Sequence, residues 1–209
     1  MTRNLKSFAS HSKRAVIPGL LVSILFCPAG HAQSSKGAPV YKINPEVSKI
    51  TFFVKASVSI DGTFDKWDAS LTFTSGDAST GVLDVKIQAA SVNTGSGFKD
   101  DKLRSDDFFD AKKDPYITFR STKIVQTGPH TFDVPGTFTI RGVSKQETLA
   151  FTDDTEGKGT GEIKGTMAFD RKEFGMNSGI PFIRIADRVE VTTDFKVKRV
   201  GGPPLLFKQ

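Results

Sequence analysis

The stretch Arg188-Val189-Glu190-Val191-Thr192-Thr193-Asp194-Phe195-Lys196-Val197 decides the fold. Val189, Val191, Phe195 and Val197 alternate with Arg188, Glu190, Thr192, Asp194 and Lys196. Successive side chains of a strand point to opposite faces, so the pattern predicts a strand with one buried and one wet face. The same period of two runs back through the chain. It joins Ile50, Phe52 and Val54; Leu83, Val85 and Ile87; Ile117 and Phe119; Phe132 and Val134, then Phe138 and Ile140 in one run; Leu149 and Phe151; and Ile163, Met167 and Phe169. With Leu71-Thr72-Phe73-Thr74 these make eight principal strands. Ser75-Gly76-Asp77, Thr127-Gly128-Pro129, Arg141-Gly142 and Glu156-Gly157-Lys158-Gly159 punctuate them as turns. Short loops favour antiparallel neighbours, and many short strands predict a sandwich or a barrel. An outer-membrane barrel carries its apolar residues outward. Here the face opposite the Phe, Val and Ile set holds Lys, Asp, Arg, Glu and Thr, so the apolar set points inward.

One segment breaks the alternation. Phe98 to Phe109 lacks β-branched residues and predicts a short helical insert near 98–110, with Pro115 as a stop. Such an insert can cover one end of a barrel.

The chain of 209 residues suits one domain with extensions. Its mean hydropathy of −0.23 excludes a multi-span membrane protein. The 18 Phe against 2 Tyr and 1 Trp predict an interior of rings that carry no polar atom. Residues 1–32 hold Arg3, Lys6, Lys13 and Arg14 and no acidic residue. An apolar run from Ala15 to Phe26 follows, then Pro28-Ala29-Gly30-His31-Ala32. This is the plan of a secretory signal peptide, with a cut expected before Gln33. The apolar run falls short of the ~20 residues that span a bilayer, so no stable membrane span is expected. Export to a bacterial periplasm, or secretion beyond it, is the corresponding expectation. Residues 33–39 read as a flexible lead-in, 40–199 as the β domain and 200–209 as an irregular tail.

Beyond the leader the charge is nearly balanced, with 25 basic and 23 acidic residues, and gives no reason to expect nucleic acid. The single cysteine, Cys27, lies in the leader, so the body has neither a disulfide framework nor a thiol nucleophile. His130 is the body's one histidine and sits beside Gly128-Pro129 in a turn. The acidic run Asp100, Asp101, Asp106, Asp107, Asp110 and Asp114 lacks calcium-loop spacing and is interleaved with Lys99, Lys102, Arg104, Lys112 and Lys113. It reads as a solvated, ion-paired face, and no metal is expected. Gly157-Lys158-Gly159-Thr160-Gly161 lies between strands and reads as a hairpin rather than a phosphate loop. These residues argue for binding without turnover.

Several longer motifs carry a resemblance. Leu103-Arg104-Ser105-Asp106-Asp107-Phe108-Phe109-Asp110 is followed by Pro115-Tyr116-Ile117-Thr118-Phe119-Arg120-Ser121. Then come Thr139-Ile140-Arg141-Gly142-Val143, Asp170-Arg171-Lys172-Glu173-Phe174-Gly175-Met176 and Ala186-Asp187-Arg188-Val189. Together with Gly62-Thr63-Phe64-Asp65-Lys66-Trp67, this order resembles the YceI-like family over roughly residues 40–199. The resemblance implies an all-β, eight-stranded antiparallel lipocalin-like β-barrel in the periplasm that encloses a long-chain isoprenoid. It implies no cofactor-dependent catalysis. The family often has Arg-Asp-x-His before its Leu-Arg-Ser run; here Lys99-Asp100-Asp101-Lys102 stands there, so a histidine role at that place is lost.

Under this resemblance the expected ligand is one isoprenoid lipid, of the quinone or polyprenyl phosphate type. Alternation places Phe52, Val54, Phe73, Val85, Ile87, Phe119, Phe138, Ile140, Met167, Phe169, Val191 and Phe195 on the inward face as cavity residues. Lys99, Lys102 and Arg104 on the insert are the candidate polar rim. No catalytic residue is expected. Carrier, store and scavenger remain open as roles, and a homodimer remains open as a state. The alternatives are an interaction module with a solid core and an envelope enzyme.

Overall fold

The computed structural model describes residues 37–155, 159–180 and 182–207. The leader reading, and the glycine turn at 156–158, lie outside the described residues. The strands are β1 (Val40–Ile43), β2 (Lys49–Ala56), β3 (Ile60–Phe64), β4 (Trp67–Thr72), β5 (Val82–Gln88) and β6 (Val92–Asn93). After the helix α1 (Gly97–Arg104) come β7 (Tyr116–Ser121), β8 (Val125–Gly128), β9 (Thr131–Ile140), β10 (Val143–Asp153), β11 (Thr160–Asp170) and β12 (Ile185–Gly201).

Pairing reduces these segments to eight staves. One edge of β12 is shared: Ile185–Asp194 pairs with β2, and Val197–Gly201 pairs with β1. β1 and β2 are thus two halves of one interrupted stave. The next stave is β3 with β4, which pair with β2 and β1 respectively. The third is β5 with β6, which pair with β4 and β3. β7 and β8 both pair with β9 and form the fourth. β9, β10, β11 and β12 complete the ring, and every pairing is antiparallel. Closure through β12 and β1 leaves no open sheet edge running the length of the barrel. The eight-stranded barrel expected from alternation and resemblance is therefore the observed architecture.

Local chemistry sets the corners. Arg141 and Gly142 both have positive φ (59° and 73°) between the paired Ile140 and Val143. Two left-handed residues in a two-residue hairpin match the right-handed twist of the flanking strands. Gly142 supplies the second of them without a Cβ penalty.

The inward face is almost wholly apolar. Val134, Phe195, Leu83, Ile140 and Val197 are each at most 2% exposed. α1 is shorter than the predicted insert, and the chain from Ser105 to Asp114 continues as turns. Phe109 N–H donates to Leu103 O (2.9 Å) and Asp110 N–H to Ser105 O (2.8 Å), which folds those turns back on the helix. Leu103, Phe108 and Phe109 are thereby buried over one end of the barrel, termed here the upper end.

Candidate functional site

The interior holds two apolar cavities, arranged end to end. The upper one has a volume of about 70 Å³ and is roofed by Leu103, Phe108 and Phe109. Its walls include Phe52, Val54, Phe64, Ile87, Phe138, Ile140, Phe169 and Val191. The lower one, about 40 Å³, lies among Tyr41, Phe73, Phe132, Phe151, Ile163, Leu205 and Phe207.

A belt separates them. On β9, Ile140 and Phe138 face the upper cavity and Phe132 the lower, with Gly136 and Val134 between. On β11, Phe169 faces the upper cavity and Ile163 the lower, with Met167 and Gly165 between. Across the barrel, Val85 pairs with Phe119, and Trp67 packs on Phe195 with ring centroids 5.6 Å apart. Phe119 reaches over the bare wall at Gly136, where a Cβ would stand 2.7 Å from the ring tip.

This arrangement sorts the residues expected from alternation. Phe52, Val54, Ile87, Phe138, Ile140, Phe169 and Val191 come together around the upper cavity. Phe73 lines the lower one. Val85, Phe119, Met167 and Phe195 line neither, because they pack against one another and their neighbours as the belt. Ile50, Ile60, Ile117, Met176 and Val189 also line the upper cavity, outside the set expected there. Ile50 shared the alternation of Phe52 and Val54 and could have been added on that signal.

The expected rim is more occupied than the sequence could reveal. Arg104 donates from Nε to Ala90 O (2.9 Å) and from Nη2 to Val92 O (2.9 Å), and its Nη1 reaches Asp101 (3.1 Å). It is a clamp between α1 and β6. Lys102 is ion-paired with Asp107, whose other oxygen accepts from Ser178 Oγ (2.6 Å). The Lys102 ammonium, then Ser178, hold the Asp107 carboxyl below the usual range. Lys99 keeps only a long contact, Nζ to Ser59 O at 3.4 Å, and is half-buried. The acidic run disperses in the same way. Asp100 turns inward and accepts from Thr94 N–H (2.8 Å) and Thr94 Oγ1 (2.7 Å).

One charged side chain lines the upper cavity. Arg171, 6% exposed, is held in a short 3-10 turn, Arg171–Phe174, which is capped by Asp170 and ended by Gly175 at φ 77°. It donates to Ala186 O (3.2 Å), to Ser178 O (2.9 Å) and to Met176 O, and it pairs with Asp187 (3.1 Å). Lys172 holds the same carboxylate (2.8 Å), and its ammonium is the main cause of the lowered Asp187 pKa. The two sequence motifs at 170–176 and 186–189 are thus one staple across the upper end. Phe174, fully buried, stacks edge-on with Phe138 (5.4 Å) and Phe169 (5.2 Å) beneath it.

Below the belt, the C-terminal segment closes the barrel. Leu206 N–H donates to Gly76 O (2.8 Å), and Phe207 packs on Phe132 with centroids 5.5 Å apart. The Tyr41 hydroxyl is buried beside this segment, and burial raises its pKa above the ordinary value.

A closed eight-stranded antiparallel barrel with a hydrocarbon-lined interior, a helical roof and a buried arginine staple defines a class of small barrel proteins. The chain belongs to the YceI-like domain family, whose model matches residues 41–197. It is similar to a UPF0312 protein of Pseudomonas putida (strain W619), with 33% identity over 159 residues, covering 71% of this chain and 80% of that protein. Among solved structures it is similar to BcnA of Burkholderia cenocepacia, at 26% identity and a TM-score of 0.66, over 75% of this chain and 99% of that one. A polyisoprenoid binding domain from Saccharophagus degradans, implicated in plant cell wall breakdown, shares the fold at 16% identity and a TM-score of 0.56, over 77% of this chain and 99% of that one.

Proposed function

We propose that this is an exported, non-enzymatic lipid-binding protein that encloses the tail of one long-chain isoprenoid in its barrel. The observation that carries the reading is the upper cavity, in which every lining side chain except Arg171 is hydrocarbon or thioether. Such a surface binds by apolar burial, at about 25 cal/mol per Å² removed from water, and selects length and branching over polar detail. Phe rings and the Met176 thioether offer deformable walls to repeated methyl branches. Family membership and the polyisoprenoid-binding domain of the same fold support the choice of ligand. The head group, a quinone or a phosphate, stays at the upper end, where Lys99 is the least committed of the three expected rim cations.

The volumes favour a second reading in one respect. A cavity of about 70 Å³ is well below the ~150 Å³ that takes up a single benzene ring. A prenyl tail therefore requires Phe138, Phe169 and the roof residues to move apart on binding. If they do not, the barrel is a solid-core interaction module. Native mass spectrometry of the purified protein separates the two. A lipid-sized adduct is the expected result. A bare mass that persists after incubation with detergent-dispersed ubiquinone and polyprenyl phosphate supports the solid core.

A further inference from the structure

Three segments at the upper end each turn one apolar side chain into the cavity and leave another in water. Ile60 lines the cavity and Val58, two residues earlier, is 57% exposed. Leu103 lines it from α1, and Phe98 of the same helix is 65% exposed. Ile185 lines it, and Phe182, three residues earlier, is fully exposed at 105%.

The three segments are tied together. Ser57 N–H donates to Arg184 O (2.9 Å), and Arg184 N–H donates back to Ser57 Oγ (3.1 Å). Lys99 Nζ contacts Ser59 O (3.4 Å). Val58, Phe98 and Phe182 therefore border one region rather than three unrelated loops.

Phe182 is unfavourable twice over. Its φ of 65° is left-handed, which a bulky side chain adopts only under constraint, and its ring is wholly hydrated. The turn that holds it is closed by Ile183 N–H to Ile180 O (3.0 Å), with both isoleucines packed inward. The surrounding charge is basic. Lys55 and Arg184 are exposed and Lys99 is half-buried, and among the described residues none of the three has a carboxylate partner; Asp61, Asp100 and Asp101 oppose them on these segments, with Asp101 paired to Arg104 and Asp100 held by Thr94. Exposed aromatic and aliphatic side chains set among cations match the boundary between the headgroups and acyl chains of an anionic bilayer.

We propose that Val58, Phe98 and Phe182 form a docking tip that inserts into the surface of an anionic phospholipid membrane, with Lys55, Lys99 and Arg184 against its headgroups. The tip rests on the lipid-binding reading for its purpose, because the segments that touch the bilayer are those that wall the cavity. Lipid then passes between bilayer and barrel without crossing water.

The test is co-sedimentation of the full chain with vesicles that contain no prenyl lipid. Phosphatidylcholine vesicles are compared with phosphatidylcholine–phosphatidylglycerol vesicles. Partition onto the anionic vesicles is expected to exceed that onto neutral ones by about tenfold, and Val58→Ser/Phe98→Ser/Phe182→Gly to lower it by about as much. Phe182→Gly alone should lower partition while keeping or raising Tm, because glycine accepts the left-handed backbone. Unchanged partition in the folded triple variant overturns the proposal. So does a change of oligomeric state on gel filtration with vesicle binding intact, which assigns the tip to a second copy of the chain. Prenyl adducts loaded from detergent and read by native mass spectrometry report on the cavity separately.

Discussion

The ring of Phe151 lies across the bare backbone of its cross-strand partner Gly165, in the space a Cβ there would occupy. The same imagined Cβ would also meet Thr193 Oγ1. The glycine is therefore a packing requirement of the barrel wall, since overpacking a filled interior forces neighbours off their rotamers. Gly165→Ala is expected to cost about 1–3 kcal/mol in urea unfolding. Phe151→Leu in the Gly165→Ala background should recover part of that loss, and strict additivity of the two changes would contradict the contact.

Arg171 is expected to be structural first. Replacing it by Met leaves the carbonyls of Met176, Ser178 and Ala186 without their donor and Asp187 with Lys172 alone. A loss of about 2–4 kcal/mol is expected, measured by denaturant midpoint. Lys172→Ala, at the exposed end of the same staple, should cost less than about 1 kcal/mol.

Phe138 and Phe169 stack on each other at 5.1 Å inside the upper cavity. Phe138→Ala should cost about 3–5 kcal/mol in the absence of ligand, as large-to-small changes in packed cores do. Bound prenyl lipid should return part of that stability, read as a ligand-dependent rise in Tm. In folded variants, Phe138→Asp with Phe169→Asp should reduce lipid retention more than Lys99→Ala with Lys102→Ala. The reverse order would point to head-group recognition.

Acid should loosen the barrel wall. The Glu162 carboxyl is held down at about 2, chiefly by Lys196, whose Nζ lies 2.9 Å from it. Asp107 and Asp187 are shifted the same way by Lys102 and Lys172. A carboxylate with a folded pKa below its unfolded value stabilises the fold at higher pH. Its contribution, complete above roughly 4.5, is lost as pH falls toward about 2. The urea midpoint should drop between pH 5 and pH 3, and Glu162→Gln should show a smaller drop. Equal drops would remove Glu162 from the account.

The eight-stave count was legible because every long stave carries its own period of two, as β9 does from Phe132 to Ile140. Short segments were not. β1, β6 and β8 span four, two and four residues, too few for a period, and pairing with long neighbours creates them. Alternation also gives the face of a residue but not its height along the barrel. Phe119 and Phe138 look alike in sequence, yet one fills the belt and the other lines a cavity. The pairing of the rim residues was hidden for a related reason. The partners of Arg104 are the carbonyls of Ala90 and Val92, which no side-chain pattern announces. The lower cavity escaped notice because Leu205 and Phe207 sit in a tail without periodicity.

The 17-residue β12 joins β11, β2 and β1, so the last long strand of the chain is also the seam of the barrel. A chain that has emerged only as far as β11 has every other stave in hand and two long unpaired edges, one on β2 and one on β11. Such edges are templates for intermolecular pairing, and the contacts that cover them span almost the whole sequence. Folding of this protein therefore waits for its C-terminal strand, and until that strand arrives a holding chaperone has a defined pair of edges to shield.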